Sequence, residues 1–135
     1  MVQINTVNRD PDYRDLDLDF FANPSTKDVY KKVGDEAIKR SVRNLIFTNF
    51  YDRLFNPGIG SNVRKLLFEP VTPIVVSLLE TAIKEVINNF EPRVKLNSVT
   101  VNSDIDNNGF NVTLNYTILN RNLPVVSNLF LERIR

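Results

Sequence analysis

The spacing of apolar residues predicts helices in the first two thirds of the chain. One helix begins at about Thr26 or Val33 and ends at Phe47, and its apolar face follows helical periodicity: Ile38, Val42, Leu45 and Ile46. A second, short helix starts from the capping residue Ser61 and ends near Phe68. Its apolar residues predict one buried side: Val63, Leu66 and Leu67.

A third helix carries the clearest start signals. Thr72 is a favourable N-cap, and Pro73 occupies the first helical position, where its missing N–H is not needed. Helical periodicity then predicts one broad apolar face: Ile74, Leu78, Ile83, Val86, Ile87 and Phe90. The helix ends where Pro92 stops it.

After residue 93 the period changes from helical spacing to alternation, which is typical of strands. The first strand shows a parity slip at Asn97-Ser98, and a β-bulge absorbs such a slip. Residues 104–109 predict a turn, and a second strand follows with strict alternation: Phe110, Val112, Leu114, Tyr116 and Ile118. A turn at 120–122 leads to a third strand in which Pro124 suits an edge. Two or three helices packed on a C-terminal antiparallel β-meander make this an α+β fold.

The N-terminal region differs from the rest in its pattern. Leu16, Leu18 and Phe20 alternate with aspartates, which predicts a half-exposed strand or an extended arm. Residues 1–24 are therefore interpreted as an extended N-terminal arm, and residues 25–135 as a single α+β domain. Acidic residues gather in the arm, whereas arginines gather near the other end: Asp10, Asp12, Asp15, Asp17 and Asp19, against Arg121, Arg133 and Arg135.

The amino-acid composition excludes several classes of function. The chain has no cysteine and no histidine, which excludes Ser-His-Asp and Cys-His nucleophiles and the usual zinc sites. A net charge of +1 gives no general field for nucleic acid or an acidic membrane. The apolar runs are too short to span a bilayer, and the N-terminus lacks the pattern of a secretory signal. These features predict a protein made in the cytoplasm, and they leave carboxylate chemistry, lysine chemistry and oxygen-ligand metal sites open.

The segment Phe90-Glu91-Pro92-Arg93-Val94 joins the third helix to the sheet. A carboxylate at a helix C-terminus faces the negative end of the helix dipole, which costs about 0.3–1 kcal/mol. Glu91 therefore needs a cation, and Arg93 is the nearest one in sequence. Two interpretations remain open: an ion pair that stabilises the corner, or a charged contact to another chain.

Three other chemistries fit parts of the sequence. Glu69 and Glu91 both precede proline and suggest the two carboxylates of a glycosidase, although no tryptophan or other feature specifies a sugar cleft. Residues 104–109 match the first half of a calcium loop, but Asn115 stands where a bidentate Glu is needed. Residues 56–61 resemble a phosphate loop without its lysine. Turn chemistry explains both loops.

The order of several short motifs resembles the family of small baseplate wedge subunits that initiate the sheath of contractile-tailed phages, with relatives in type VI secretion baseplates. The resemblance covers roughly residues 35–119. Its motifs are the helical segment 38–45 followed by Thr48, the Phe55-Asn56-Pro57-Gly58-Ile59-Gly60-Ser61 loop, Leu67-Phe68-Glu69-Pro70 with Thr72-Pro73, and Glu91-Pro92-Arg93-Val94. The chain departs from the family in the loop after the first helix, where it has Phe50-Tyr51-Asp52-Arg53.

The resemblance implies a structural protein of the virion tail baseplate, assembled in the host cytoplasm within a large symmetric hetero-oligomer. By this likeness Glu91, Pro92 and Arg93 contact the core helical bundle of neighbouring wedge proteins. The sheet region adds strands from the tail sheath protein, and the residues implied are Val94, Phe110, Val112, Leu114, Tyr116, Leu129 and Leu131. No catalytic, cofactor or metal residue is implied. A lysozyme-like glycan hydrolase and a protein-binding adaptor outside any phage remain as alternatives.

Overall fold

The computed structural model describes residues 13–134. Residues 1–12 of the predicted arm, with Asp10 and Asp12, and the terminal Arg135 lie outside this range. The described residues divide into two compact units that part between Ile38 and Lys39. Within 13–134, no helix is both long and apolar enough to cross a membrane.

The first unit contains a small antiparallel hairpin. Its strands are β1 (Arg14–Leu16) and β2 (Lys31–Val33), with Asp15 opposite Lys32. The predicted strand from the Leu-Asp alternation is therefore only three residues long. The strand stops there because Asp17 is buried and its carboxylate accepts a hydrogen bond from the backbone N–H of Asp19 at 3.2 Å, which turns the chain.

Leu16, Leu18 and Phe20 remain exposed on this hairpin. The earlier of the two helix starts predicted from the sequence, at Thr26, is wrong. Residues 24–26 form a turn, and Lys27 has a positive φ of 55°, which a helix does not accept.

The helix α1 (Asp35–Phe47) begins two residues after the later predicted start and ends where the sequence predicted. The helix α2 (Val63–Leu66) is shorter than predicted, and its N-cap is Asn62. Ser61, the predicted cap, accepts the backbone N–H of Val63 at 3.4 Å and donates its hydroxyl to the backbone carbonyl of Ile46 at 2.8 Å. That hydrogen bond ties the start of α2 to the end of α1.

The helix α3 (Pro73–Phe90) confirms the predicted start, because Thr72 Oγ1 accepts the N–H of Val75 at 3.3 Å. Its buried stripe consists of Val75, Leu79, Ile83, Val86 and Ile87. The prediction was wrong for Ile74 and Leu78, which are exposed. The first half of α3 is apolar on nearly every side, so periodicity alone did not select the buried face.

The C-terminal half confirms the predicted meander. The strands β3 (Val94–Asp104), β4 (Gly109–Ile118) and β5 (Leu123–Glu132) form an antiparallel sheet in the order β3-β4-β5. The register shifts between Leu96 and Ser98, where the bulge was predicted. α3 packs against β3 and α2 packs against α3, so the fold is α+β with its core between helix and sheet.

Candidate docking site at the corner between helix α3 and the sheet

The corner begins where α3 loses its helical geometry. The N–H of Glu91 still donates to the carbonyl of Ile87 at 2.9 Å, but the Glu91 backbone has φ −121° and ψ 80°. This departure follows from Pro92, which disfavours helical geometry in the residue before it. The N–H of Val94 donates back to the carbonyl of Glu91 at 3.4 Å, and β3 starts there. The corner therefore fixes the direction in which Arg93 leaves the helix.

The side chains of Arg93 and Glu91 form a bidentate ion pair. Arg93 Nε donates to Glu91 Oε1 at 2.6 Å, and Arg93 Nη2 donates to Glu91 Oε2 at 2.9 Å. Two parallel N–H···O bonds of this kind are shorter and stronger than neutral ones, and they hold both groups in one plane. The intramolecular pairing that the sequence left open is thus present.

A third residue completes the cluster. The hydroxyl of Ser41, in α1, donates to Glu91 Oε2 at 2.6 Å. Ser41 lies within the segment 38–45 that carried the family resemblance, but no role for it was predicted from the sequence. The two residues are 50 positions apart, and only the packing of α1 beside the corner brings them together.

The cluster holds Glu91 in its charged form. Burial by itself would raise the pKa of the Glu91 carboxyl, because the charged form loses water. The hydrogen bonds from Arg93 and Ser41, together with the positive charge of Arg93, outweigh burial and lower the pKa below its ordinary value. The carboxylate is therefore a fixed anion at neutral pH.

Exposure differs sharply between the two partners. The Glu91 side chain is 3% exposed, whereas the Arg93 side chain is 24% exposed and Pro92 is exposed. A partner that approaches the corner meets Pro92 and Arg93. Glu91 and Ser41 lie beneath them and set the orientation of the guanidinium group.

The sheet residues implied by the resemblance divide between core and edge. β4 is the central strand, so Phe110, Val112, Leu114 and Tyr116 are buried between neighbours on both sides. Val94 and Leu131 are also buried, and Leu129 is half-buried. These side chains build the core of the sheet, and an added strand would pair with the backbone of an outer strand.

β5 offers the more open outer edge. The N–H of Arg133 donates to the carbonyl of Asn108 at 2.9 Å. By the alternation of an antiparallel pair, the odd-numbered residues of β5 therefore direct their backbone N–H and C=O groups toward β4. The even-numbered residues direct their backbone N–H and C=O groups away from β4. Pro124, which has no N–H, is one of these even-numbered residues. On the other edge, the outward N–H of Val101 donates to Glu80 Oε1 of α3 at 3.1 Å. Helix α3 therefore covers part of the β3 edge.

The predicted turn at 104–109 is the hairpin between β3 and β4. Asp104 accepts hydrogen bonds from Asn107 and Asn111, and these bonds lower its pKa. Asn108 has a positive φ of 51°, as the Asn-Gly pattern predicted. Among residues 13–134, no group of three or more acidic side chains is arranged to hold a metal ion.

Two comparisons of the sequence agree with each other. The sequence model of one protein family, described as baseplate wedge protein gp25, matches residues 32–123. Baseplate wedge protein gp25 of Enterobacteria phage T4 is 29% identical to this chain over 119 residues, which is 88% of this chain and 86% of the phage protein. The match includes the corner, and it confirms the resemblance inferred from the sequence.

Solved structures share the fold at lower identity. A chain of the anti-feeding prophage baseplate superimposes with a TM-score of 0.64 at 19% identity, and the match covers 92% of this chain and 88% of that one. A Geobacter sulfurreducens protein proposed to be a tail lysozyme gives 0.63 at 23% identity, over 75% of this chain and 94% of that one. At these identities the likeness concerns the fold.

Proposed function

The chain belongs to the family of baseplate wedge protein gp25 and is a structural component of a virion tail baseplate; from this premise, we propose that it is a two-sided adaptor. One side is the corner, where Pro92 and Arg93 dock to the helical core of neighbouring wedge proteins. The other side is the outer edge of β5, which receives a strand from the first ring of tail sheath subunits. The bidentate, buried support beneath Arg93 is the observation that carries the proposal.

The geometry of the corner favours docking by Arg93 over a purely internal role. An exposed ion pair gains little by itself, with typical values of about 0–1 kcal/mol. Here the carboxylate is 3% exposed and accepts hydrogen bonds from Arg93 and Ser41, so Arg93 is held in one orientation. A cation fixed before binding loses less conformational freedom when a partner engages it. Acidic side chains or helix C-terminal carbonyls of a wedge bundle are suitable acceptors.

The geometry of the sheet favours β5 as the acceptor of a sheath strand. β5 has no neighbour on its outer side in the described part of the chain, and Pro124 is only its second residue, close to the turn. Residues Val126, Asn128 and Phe130 then direct their N–H and C=O groups outward. An open edge of this length is an aggregation hazard unless a partner pairs with it, so strand addition by the sheath gives it a function.

We propose no catalytic role. A glycosidase needs one carboxylic acid with a raised pKa that can donate a proton. The Glu91 carboxyl has a lowered pKa, and both of its oxygens already accept hydrogen bonds from Arg93 or Ser41. These contacts disfavour Glu91 as a general acid, and they fit the structural role better than the glycan-hydrolase alternative.

The docking proposal is tested with a variant that removes both charges of the corner. Replacing Arg93 alone would leave Glu91 buried without its cation, which destabilises the fold. The double variant Glu91→Met/Arg93→Met replaces both partners with apolar side chains of similar length, a change that is often close to neutral for folding. We expect its binding to the purified neighbouring wedge subunits to weaken by roughly 30-fold or more, since loss of a charged interfacial contact costs about 2–5 kcal/mol.

The matched control is Lys95→Met, which removes an exposed cation two residues further along β3. Size-exclusion chromatography of the mixed subunits measures complex formation, and circular dichroism verifies the fold of each variant. The proposal is contradicted if the folded double variant binds the wedge subunits as tightly as the control.

A further inference from the structure

The connection between α1 and α2 displays large apolar side chains. Tyr51 is 83% exposed, Leu54 is 91% exposed and Phe55 is 95% exposed. Scattered single apolar residues are normal on protein surfaces, but here three such residues lie within five positions of one loop. Neither Arg93 nor the edge of β5 belongs to this loop, so the two-sided adaptor does not account for it.

The loop is held in a defined shape by its own hydrogen bonds. The carboxylate of Asp52 accepts from the backbone N–H of Asn49 at 2.9 Å and from the Asn49 side chain at 3.0 Å. The N–H of Tyr51 donates to the carbonyl of Pro57 at 2.9 Å, and the N–H of Ile59 donates to the carbonyl of Asn56 at 3.1 Å. These bonds close the loop internally and leave the apolar side chains outside.

The base of the loop is fixed to the rest of the second unit. The N–H of Ser61 donates to the carbonyl of Thr48 at 2.9 Å, and Asn49 forms a parallel bridge with Ser61. Gly60 is buried against the Asn49 backbone, where an added Cβ would approach the Asn49 carbonyl carbon to 2.4 Å. A side chain does not fit there, so Gly60 allows the two ends of the loop to meet.

Tyr51 has a positive φ of 71°, a conformation that costs a residue with a bulky side chain free energy. Strained residues of this kind cost of order 1–3 kcal/mol and cluster at binding sites. The Tyr51 side chain is 83% exposed, so burial of its ring does not offset this cost. The fold thus maintains an unfavourable backbone conformation to present an apolar group.

An open groove lies between this loop and α2. Its volume is about 680 Å³, and its apolar walls come from Phe50, Tyr51 and Phe68. Arg64 and Lys65 of α2 line the same groove, and both are exposed. Of the side chains that line it, these two are the ones that carry charge.

Nearby carboxylates do not neutralise the two cations. Asp52 keeps its negative charge while it accepts hydrogen bonds from Asn49, but neither Asp52 nor Glu69 lines the groove. Glu85 lines a separate, smaller cavity that also borders Phe50. No ion pair joins Arg64 or Lys65 to another of the described residues. The groove therefore combines apolar walls with an uncompensated positive rim.

We propose that this groove, lined by Phe50, Tyr51, Arg64, Lys65 and Phe68, binds an acidic segment of another baseplate protein. An apolar side chain of that segment enters between the aromatic walls, and its Asp or Glu residues meet Arg64 and Lys65. Leu54 and Phe55 extend the contact at the tip of the loop. Charge complementarity selects the acidic partner, and the rigid loop supplies affinity because little conformational freedom is lost on binding.

The proposal is tested by photo-cross-linking in cells that assemble the complete tail. A photoreactive benzoylphenylalanine replaces Phe55, whose 95% exposure means that the fold does not depend on it. We expect cross-links to a segment of another baseplate protein that contains both acidic and apolar residues. The double charge reversal Arg64→Glu/Lys65→Glu should lower the yield by roughly tenfold or more, because like charges across an interface repel.

Two controls make the result specific. The same photoreactive residue in place of Ile105, which is 77% exposed on the β3–β4 turn, reports background cross-linking. The double reversal Lys84→Glu/Lys95→Glu changes the net charge equally at two exposed positions outside the groove. Circular dichroism verifies that every variant is folded.

Several outcomes overturn the proposal. A yield no higher than that at Ile105, a cross-link to a second copy of this chain, or a cross-link to a segment without acidic residues each shows that the occupant is not the proposed one. A cross-linking yield that is unchanged by Arg64→Glu/Lys65→Glu shows that the two cations do not contribute to binding. Binding of the purified chain to phosphatidylglycerol vesicles, lost in that double variant, would instead assign the surface to a membrane.

Discussion

Three residues from two distant parts of the chain form the charged cluster at the corner. Glu91 is buried, Arg93 binds it with two hydrogen bonds, and Ser41 adds a third. A buried carboxylate is costly unless its hydrogen-bonding capacity is used, and here both oxygens are occupied. The cluster therefore stabilises an ionised group that also orients a surface cation.

The lowered pKa of Glu91 predicts a pH dependence of stability. An unfolded Glu titrates at about pH 4.3, whereas the folded group titrates lower. Its contribution to the free energy of unfolding is therefore present above about pH 4.3 and is lost as pH falls through the folded pKa. We expect the stability difference between the wild type and Glu91→Gln to be largest near pH 7 and to shrink at acidic pH.

Urea unfolding of both proteins at a series of pH values measures this difference. Asp104 also has a lowered pKa, but it is present in both proteins and cancels in the comparison. A difference that stays constant from neutral to acidic pH would show that the Glu91 carboxylate gains nothing from its partners in the folded state.

The sequence predicted the corner, but not which of its two charged residues is buried and which is exposed. Helix periodicity, Pro92 and the opposite charges of Glu91 and Arg93 are local signals, readable within a few positions. The burial of Glu91 and the hydrogen bond from Ser41 depend on how α1 lies beside the end of α3. Contacts across 50 positions leave no signature in a single sequence, and they decide which of the two charged residues a partner can reach.

Among the elements, α3 and β5 show where patterns succeed and fail. The cap and end of α3 follow from Thr72, Pro73 and Pro92, which act on the local backbone. The buried face of α3 could not be predicted from the sequence, because Ile74 and Leu78 are as apolar as Val75 and Leu79. The fold buries Val75 and Leu79. The strands of the meander were predictable because strict alternation leaves only one apolar face to bury.

The edge of β5 supports a prediction about strand addition. Val126 belongs to the outward set, so replacing it with proline removes a donor that β4 does not use. We expect Val126→Pro to keep the fold and to reduce the nucleation of tail sheath on assembled baseplates, because the added strand loses a backbone hydrogen bond and meets a proline ring. Electron microscopy of baseplates mixed with sheath protein counts the nucleated sheaths.

The control is Val125→Pro, which lies opposite Tyr116 and faces β4. This change removes a ladder hydrogen bond inside the sheet, so we expect a loss of roughly 1–3 kcal/mol in the free energy of unfolding. If Val126→Pro baseplates nucleate sheath as often as the wild type while the variant is folded, β5 is not the acceptor strand.

For the whole molecule, the sequence predicted the fold class and the succession from helices to sheet. It did not predict the three-residue strands of the N-terminal hairpin, because Asp17 is buried and ends β1 through a turn that alternation does not reveal. Nor did it predict the aromatic groove, since a loop pattern such as Asn-Pro-Gly indicates a turn but not which side chains point outward.

We propose that the second unit presents three surfaces for assembly: the Arg93 corner, the β5 edge and the basic aromatic groove. Each offers a modest contact, and a symmetric ring multiplies such contacts because binding at one site raises the effective concentration at the next. On this proposal, a chain of this size joins several neighbours without a large interface to any one of them.

The central claim is that the corner and the β5 edge are occupied by different partners in the assembled tail. Cryo-electron microscopy of the intact baseplate with its first sheath ring tests this most directly. The account predicts density from a wedge-protein helix within hydrogen-bonding distance of Arg93, and a sheath strand paired with Val126, Asn128 and Phe130. A reconstruction in which Arg93 faces solvent and β5 remains an unpaired edge would contradict it.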